Sequence, residues 1–522
     1  MIDPITLEVI KNALLYASEE MGVAVRNSAY SPNIKERLDH SCALFDREAR
    51  LIAQAEHIPV HLGSLPWGLR RMLSFVERTG ERMRPGEMWV ANDPYVTGTH
   101  LNDVTVVRPV FYQERLAGYA ASKAHHTDVG GAAPGSMSPD ATDLFAEGLV
   151  VPPLRLMEND LPLRGTIELF CANSRTPQAR AGDLRAQIAG NHTGERRLLE
   201  LYERYGAPTV DATFAQSIDD SETRIRAAIR ALAEGIFEAE DFLEGIDDER
   251  LLRIRLRIEL RGGEAHLDYT GTCEQVAYPL NAVYGVTLSG VHYALRAVTD
   301  PTIPMNEGCF RPVNVHVPEG TLLNPRRPAP VAAGNVETST RNADVVLRAL
   351  AKAAPDRVPA ASGGTMSNVL LGGARSDGRV WAFYETNGCG MGARPTSDGI
   401  SGIQCHMTNT MNTPIEAIER EFPLRVTQYE LAYGTGGTGR HRGGDGLIRA
   451  IQLTDGTAHV SLLADRHRIA PPGAHGGSAG ACGAHAIVRN GERVALPAKV
   501  SVTLRAGETL VVQTPGGGGY GR

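Results

Sequence analysis

The sequence predicts an α+β protein: several packed units of mixed sheets and helices, closing on a β-rich C-terminal part. Three observations carry that class. The chain has 522 residues, more than one ordinary hydrophobic core accommodates. Its apolar residues change along the chain from three- and four-residue spacing to strict alternation, the marks of helix and strand respectively. Glycine reaches 56 residues, about 11% against a usual level of roughly 7%, and gathers in the last hundred positions.

Four regions follow in order. Region 1–160 opens with a helix over residues 4–21, because Leu7, Ile10, Leu14, Ala17 and Met21 share one face. Asp3 and Pro4 supply its N-cap and first turn. From residue 41 to 156 short apolar runs at 42–45, 88–91 and 104–111 are cut by Gly, Pro and Asp, which indicates strands joined by loops. Region 161–250 is mainly helical. Residues 183–188 and then Ile225, Ile229, Leu232 and Ile236 carry helix-spaced apolars, with Arg and Glu on a solvated face. Region 251–420 is mixed. Ile254, Leu256, Ile258 and Leu260 alternate with Arg253, Arg255, Arg257 and Glu259, a half-buried strand that Arg261-Gly262-Gly263-Glu264 turns into a hairpin. A helix is expected over 341–352. Region 421–522 alternates short strands with glycine-rich turns at 433–439, 442–446 and 473–477. Those glycines are expected to serve turns or, alternatively, a docking surface.

Composition excludes several function classes. The net charge is −7, with 60 acidic against 53 basic residues, so no nucleic-acid or polybasic membrane surface is expected. The seven cysteines form no CxxC pair, which removes thiolate zinc and iron–sulfur sites and points to reduced thiols in the cytoplasm. The opening MIDPITLEVIKNAL has no apolar core and is not a signal peptide, and no run of 18 apolar residues exists. Only five of the basic residues are lysines (Lys11, Lys35, Lys123, Lys352, Lys499) and Gly-Lys never occurs, so a Walker-type ATP loop is absent. HExxH and GxSxG are missing too.

What remains is a concentration of imidazole and carboxylate. Gly98-Thr99-His100-Leu101-Asn102-Asp103 precedes one strand, and Lys123-Ala124-His125-His126-Thr127-Asp128 ends the next. A divalent first-row metal takes neutral imidazole nitrogens and carboxylate oxygens, and a catalytic site leaves one position open. His100 and Asp103 would reach it from a tight turn, and either His125 or His126 from the neighbouring strand. Adjacent strand residues face opposite ways, so those two histidines must have different roles. Asp39 and His40 add a carboxylate and an imidazole upstream. Taken singly, each of these residues is equally served by capping and turn hydrogen bonds.

Longer motifs then bring in a resemblance. HIPVHLGS (57–64), ANDPYVTGTHLNDV (91–104), AHHTDVGG (124–131), EGLVVPP (147–153), NSRTPQARAGDLRAQIAGN (173–191), AGNVETSTRNADVVL (333–347), ETNGCGMGARPTSDGISG (385–402), HMTNTMNTPIE (406–416) and TPGGGGYG (514–521) run in order along the chain. Together they resemble the hydantoinase B/oxoprolinase family, which includes N-methylhydantoinase B-type subunits, 5-oxoprolinase and parts of the acetone and acetophenone carboxylases.

The resemblance implies a B-type subunit that holds a divalent metal (Zn, Mn or Fe) while a hydantoinase A-type partner binds ATP and phosphorylates the substrate. It implies Asp39, His100, Asp103 and His125 as metal ligands. The expected activity is hydrolysis of a hydantoin, 5-oxoproline or related lactam. The alternatives are a ketone carboxylase subunit and a non-catalytic scaffold. His126 and Asp128, beside the ligands, are candidates for orienting them or for proton transfer. Lys123 and Glu147 are weaker candidates. The expected assembly is a cytoplasmic hetero-oligomer.

Overall fold

The computed structural model describes residues 2–55, 57–246 and 250–522. The first helix, Pro4–Ser28, starts where Asp3 accepts a hydrogen bond from the Thr6 amide at 2.9 Å. It continues past residue 21 because Val25 prolongs the buried face of Leu7, Ile10, Leu14, Ala17 and Met21. That face packs on the long helix Pro177–Tyr205.

Both helices cover one side of a seven-stranded sheet. Its strands are β1 (His40–Asp46), β2 (Leu51–Gln54), β3 (Met88–Ala91), β4 (Asp103–Tyr112), β5 (Arg115–His125), β6 (Leu154–Glu158) and β7 (Leu161–Pro162), in the order β2-β1-β5-β4-β3-β6-β7. All neighbours are antiparallel. Cys42, Leu44, Ala120 and Ala124 meet Met21 and Leu198 on the helical side. Phe45, Trp89 and Val107 meet Leu65, Leu69 and Met72 of helix His61–Arg78 on the other. The central strands β4 and β5 are therefore buried on both faces, as a sheet covered by helices on either side requires.

A second sheet contains β8 (Gly235–Glu244), β9 (Leu251–Arg261), β10 (Glu264–Asp268) and β11 (Val313–His316), in the order β11-β10-β9-β8. The alternation in β9 is realised: Leu252, Ile254, Leu256, Ile258 and Leu260 are buried beneath helix Ser339–Ala353. Arg261 pairs with Glu264 across the hairpin. Ile236 corrects the helical reading. Helix Ala207–Arg230 has already ended, Gly235 begins β8, and Ile236 is 55% exposed rather than on a helical core face. The stretch 161–250 thus ends in a strand that pairs with β9.

The C-terminal part is a sandwich of two sheets. One has the order β13-β12-β16-β19, from β12 (Asn368–Ala374), β13 (Val380–Glu385), β16 (Thr457–Leu463) and β19 (Lys499–Arg505). The other has the order β14-β15-β20-β17-β18, from β14 (Leu424–Ala432), β15 (Gly446–Leu453), β17 (Ala484–Arg489), β18 (Glu492–Leu496) and β20 (Thr509–Gln513). Val369, Leu371, Phe383, Val460 and Leu504 interdigitate with Ile451, Ile487, Leu510 and Val512 between them. Strands β12 and β13 come from upstream of residue 421.

Beside the sandwich Gly434 and Gly476 turn as expected, with φ +83° and +93°, but most of the neighbouring glycines do something else. Residues 516–519 are buried, and neither they nor Gly436, Gly437, Gly443 and Gly444 have a left-handed backbone. The C-terminal tail threads between neighbouring backbones. Gly437 N donates to the Gly517 carbonyl at 2.8 Å, Gly517 N to Gly444 at 2.9 Å, Gly518 N to Ala361 at 2.8 Å and Gly519 N to Ser478 at 2.9 Å. Close main-chain approach, rather than φ, is what demands glycine there. The two arginines nearby are tied to the protein itself, Arg440 to the Pro395 carbonyl and Arg442 to Asp445. Among the described residues no helix is long and apolar enough to cross a membrane, and the seven cysteines are free thiols.

Candidate metal centre

The centre is built on the β4–β5 hairpin. Its register sets Asp103 directly opposite His125, where facing side chains lie closest. His100 comes from the turn before β4, closed by the Asp103 amide donating to the His100 carbonyl at 3.0 Å. Gly98 allows that turn, with φ +84° and Trp67 only 2.9 Å from where a Cβ would sit. Asn102 fastens it by donating to the carbonyls of His126 (2.9 Å) and Gly135 (3.1 Å). Lys123, on the same face of β5 as His125, donates to the Thr97 carbonyl (2.8 Å) and Thr99 Oγ1 (3.1 Å). Burial pushes the Lys123 ammonium down to about 7.

Three donor atoms converge. His100 Nε2 lies 3.1 Å from Asp103 Oδ1 and 3.0 Å from His125 Nδ1, and Asp103 Oδ1 lies 3.3 Å from His125 Nδ1. The three residues are buried, and one ligand atom from each falls within 4.8 Å of the others. His100 Nδ1 faces the Ala332 carbonyl at 3.1 Å. A carbonyl only accepts, so Nδ1 carries a proton and the Nε2 lone pair points into the cluster. One oxygen and two nitrogen lone pairs facing each other repel unless a proton or a cation lies between them. The electrostatics agree. Burial disfavours a charged His100, yet the Asp103 carboxylate outweighs it and raises the imidazole above its usual range. Burial likewise opposes the Asp103 charge, and His100, His125 and His61 hold that carboxyl well below its ordinary value. His125 is lowered by burial. Its Nε2 is buried and unpartnered, and its ring stacks on Tyr384 at 4.8 Å. Two imidazoles and a carboxylate in a dry site fit a divalent first-row metal.

The remaining candidates divide. Asp39 is beside the cluster: its carbonyl accepts from the His125 amide at 3.0 Å, and its charge acts on His100, His125 and His61. Its carboxylate does not join the converging trio. His126 faces the other way, as neighbours on a strand must. Its Nε2 meets Gln187 Oε1 at 2.9 Å, and burial holds it neutral. Asp128 is buried and fully engaged, accepting from the amides of Gly130, Gly135 and Arg175 and from the Arg175 guanidinium at 3.0 Å. The structure therefore brings neither His126 nor Asp128 to the cluster. His126 ties the end of β5 to helix Pro177–Tyr205, and Asp128 fastens the loops beside it.

Glu147 also works at one remove. It accepts from the Val331 and Ala332 amides at 2.8 Å each, fixing the carbonyl that sets the His100 tautomer, and burial pushes its carboxyl up to about 8. Two participants were not legible as such. His61 Nε2 stands 3.3 Å from Asp103 Oδ2 with Nδ1 on Ser41 Oγ at 2.8 Å, and Asn335 reaches the same Oδ2 at 3.4 Å. His61 was visible only within its motif, since no local spacing links it to residues forty positions away.

The model of the Hydantoinase B/oxoprolinase family matches residues 3–522. The chain belongs to the hydantoinase B/oxoprolinase family. Among hydantoinase B/oxoprolinase relatives, 5-oxoprolinase 1 of Arabidopsis thaliana is 36% identical over 99% of this chain, which spans 42% of that protein. The crystal structure of an ATP-dependent caprolactamase from Pseudomonas jessenii matches with a TM-score of 0.93 at 30% identity, covering 100% of this chain and 91% of that one. A nucleotide-free acetone carboxylase structure matches with a TM-score of 0.92 at 18% identity, over 99% and 76% of the two chains, a likeness of fold alone.

Proposed function

We propose that this chain is the metal-bearing B-type subunit of a cytoplasmic, ATP-dependent cyclic amidase. It hydrolyses a hydantoin, 5-oxoproline or a related lactam after an A-type partner has phosphorylated the amide oxygen. One observation carries the reading: the buried convergence of His100 Nε2, Asp103 Oδ1 and His125 Nδ1, with the His100 tautomer fixed from behind. The family places the chain among enzymes whose members include 5-oxoprolinases. With no Walker loop and no Gly-Lys in the sequence, ATP is handled by the partner.

A lactam is a poor electrophile because nitrogen donates into its carbonyl; phosphorylation of the oxygen supplies a leaving group. A divalent metal held by His100, Asp103 and His125 would supply Lewis acidity and a water of lowered pKa; Asp39, whose carboxylate stands outside the trio, would have to turn in to join them as a fourth ligand. The chain's own residues do the rest. The Ala332 carbonyl keeps the His100 proton on Nδ1. His61 and Asn335 hold Asp103 Oδ2, so that Oδ1 stays turned to the cluster. His61, kept neutral by burial, has both ring nitrogens committed, Nε2 to Asp103 and Nδ1 to Ser41, so it orients the carboxylate rather than taking up a proton.

The test is co-expression with a hydantoinase A-type chain, metal analysis of the complex, and ATP-dependent ring opening of 5-oxoproline, hydantoin and caprolactam. His100→Ala should abolish metal binding and turnover together. Turnover that requires bicarbonate would favour a carboxylase, and a metal-free complex unaffected by His100→Ala would favour a scaffold.

A further inference from the structure

A second group of reactive side chains lies apart from the metal centre, on the wall of a cavity of about 510 Å³. Tyr293, Arg357, Ser362, Arg394, Cys405 and His406 contribute to its lining. Cys389 and Ile403 pair through two backbone hydrogen bonds of 2.9 Å each. Cys405, two residues beyond, falls on the same side of that ladder as Cys389. The Cys389 and Cys405 thiols act on one another, and Ser362 acts on Cys405, while the Cys405 thiol lies 3.7 Å from the Ile403 carbonyl. The two are unequal in access: Cys405 is partly exposed at the cavity, whereas Cys389 is buried behind it.

We propose that Cys405 and Cys389 form a peroxide-responsive thiol pair, Cys405 reacting with a hydroperoxide in the cavity and Cys389 resolving the product to a disulfide. The surroundings favour a thiolate at Cys405. Ser362 O–H and Cys389 S–H can both donate to its sulfur. His406 is adjacent, with Nε2 3.0 Å from Asp344 Oδ1 and Nδ1 3.4 Å from the Tyr293 hydroxyl. Both ring nitrogens are thereby engaged, so His406 acts through its charge: burial opposes that charge, and Asp344 outweighs burial and raises the imidazole. The interaction with Cys389 then brings the Cys405 thiol down to about 7, whereas desolvation raises the thiols of buried Cys42 and of half-buried Cys273 and Cys309. Thiolate fraction and access together decide which cysteine reacts.

The chemistry balances. The Cys405 thiolate attacks one peroxide oxygen, forming S–O as O–O breaks, and hydroxide leaves to take up a proton. Cys389 sulfur then attacks Cys405 sulfur, forming S–S as S–O breaks, and water leaves with the Cys389 proton. Two thiols and one hydroperoxide give a disulfide, water and, from hydrogen peroxide, a second water.

The experiment treats the full-length reduced protein with hydrogen peroxide, blocks remaining thiols with iodoacetamide and maps peptides by mass spectrometry. The expected product is a Cys389–Cys405 cross-link. In Cys389→Ser, dimedone should instead trap a sulfenic acid at Cys405, and in Cys405→Ser neither adduct should form at Cys389. Unoxidised wild-type protein at pH 7 should lose Cys405 to iodoacetamide about tenfold faster than Cys171 or Cys482. The wild-type measurements decide the matter if a variant fails to fold. A different first-reacting cysteine, or Cys405 oxidised without linkage to Cys389, would overturn the proposal.

Discussion

Gly517→Ala tests whether the C-terminal glycines are a packed main-chain core. A Cβ at residue 517 would lie 2.1 Å from the Met391 carbonyl oxygen, 2.3 Å from its carbonyl carbon and 2.7 Å from Gly392 N. All three are backbone atoms of one neighbouring segment, so no side chain can rotate away. Relief needs a displacement of about 1 Å, and overpacking of this kind costs about 1–3 kcal/mol. The displacement also strains the hydrogen bonds from Gly517 N to Gly444 and from Gly437 N to Gly517 O. Each buried group left unsatisfied costs about 1–3 kcal/mol. The expected loss is about 3–9 kcal/mol, a large share of the 5–15 kcal/mol typical of a folded protein. Gly165→Ala is the control, since this glycine sits in the first turn of helix Arg164–Ala172 with nothing within 4 Å of a built Cβ. It should be neutral or stabilising by less than about 1 kcal/mol. Urea unfolding followed by far-UV circular dichroism, with limited proteolysis of the tail, compares the two. If Gly517→Ala moves the midpoint no further than Gly165→Ala, the account of these glycines is wrong.

Three further outcomes are expected. Lys123→Met keeps the buried stem and deletes the ammonium that holds Thr97 and Thr99; metal affinity should fall about 10–100-fold in a chelator competition, and unchanged affinity would remove Lys123 from the scaffold of the site. Glu337 is buried, and burial pushes its carboxyl up to about 8, above an unfolded value of about 4.3. The folded state therefore binds more protons between these values, so the group's contribution is full below about pH 4.3 and is lost as pH rises through about 8. Glu337→Gln should flatten the fall in stability between pH 5 and 8, seen as parallel thermal melts across that window. Arg37 Nε lies 3.1 Å from Glu385 Oε1 with both side chains fully buried; Arg37→Met should cost about 3–5 kcal/mol in urea unfolding, and Arg37→Met with Glu385→Met together should cost less than the single change.

The contrast between legible and illegible residues follows from what a local window contains. The β9 alternation and the face of helix Pro4–Ser28 were readable because one side of each element is buried and the other is wet, so burial writes a period into adjacent positions. Ile236 misled because it continued the i+4 spacing of Ile225, Ile229 and Leu232 by coincidence, across a helix end that no Pro or conventional cap announces. The glycines misled for a different reason: a missing Cβ permits either positive φ or close approach, and composition does not say which.

At the candidate metal centre the same logic separates the residues. His100, Asp103 and His125 could be grouped because a single hairpin carries them, and the period of two predicts that His125 and His126 diverge, as they do. His61, Asn335, Glu147 and the Ala332 carbonyl reach the centre from separate segments, and Asp128 meets its guanidinium partner 47 positions away. Their roles depend on tertiary neighbours that no periodicity encodes. The donor atoms were thus written locally, whereas the tautomer of His100 and the orientation of Asp103 are properties of the fold. Damage to either should weaken metal binding without touching a ligand, which makes Glu147 and His61 the residues where folding and chemistry meet.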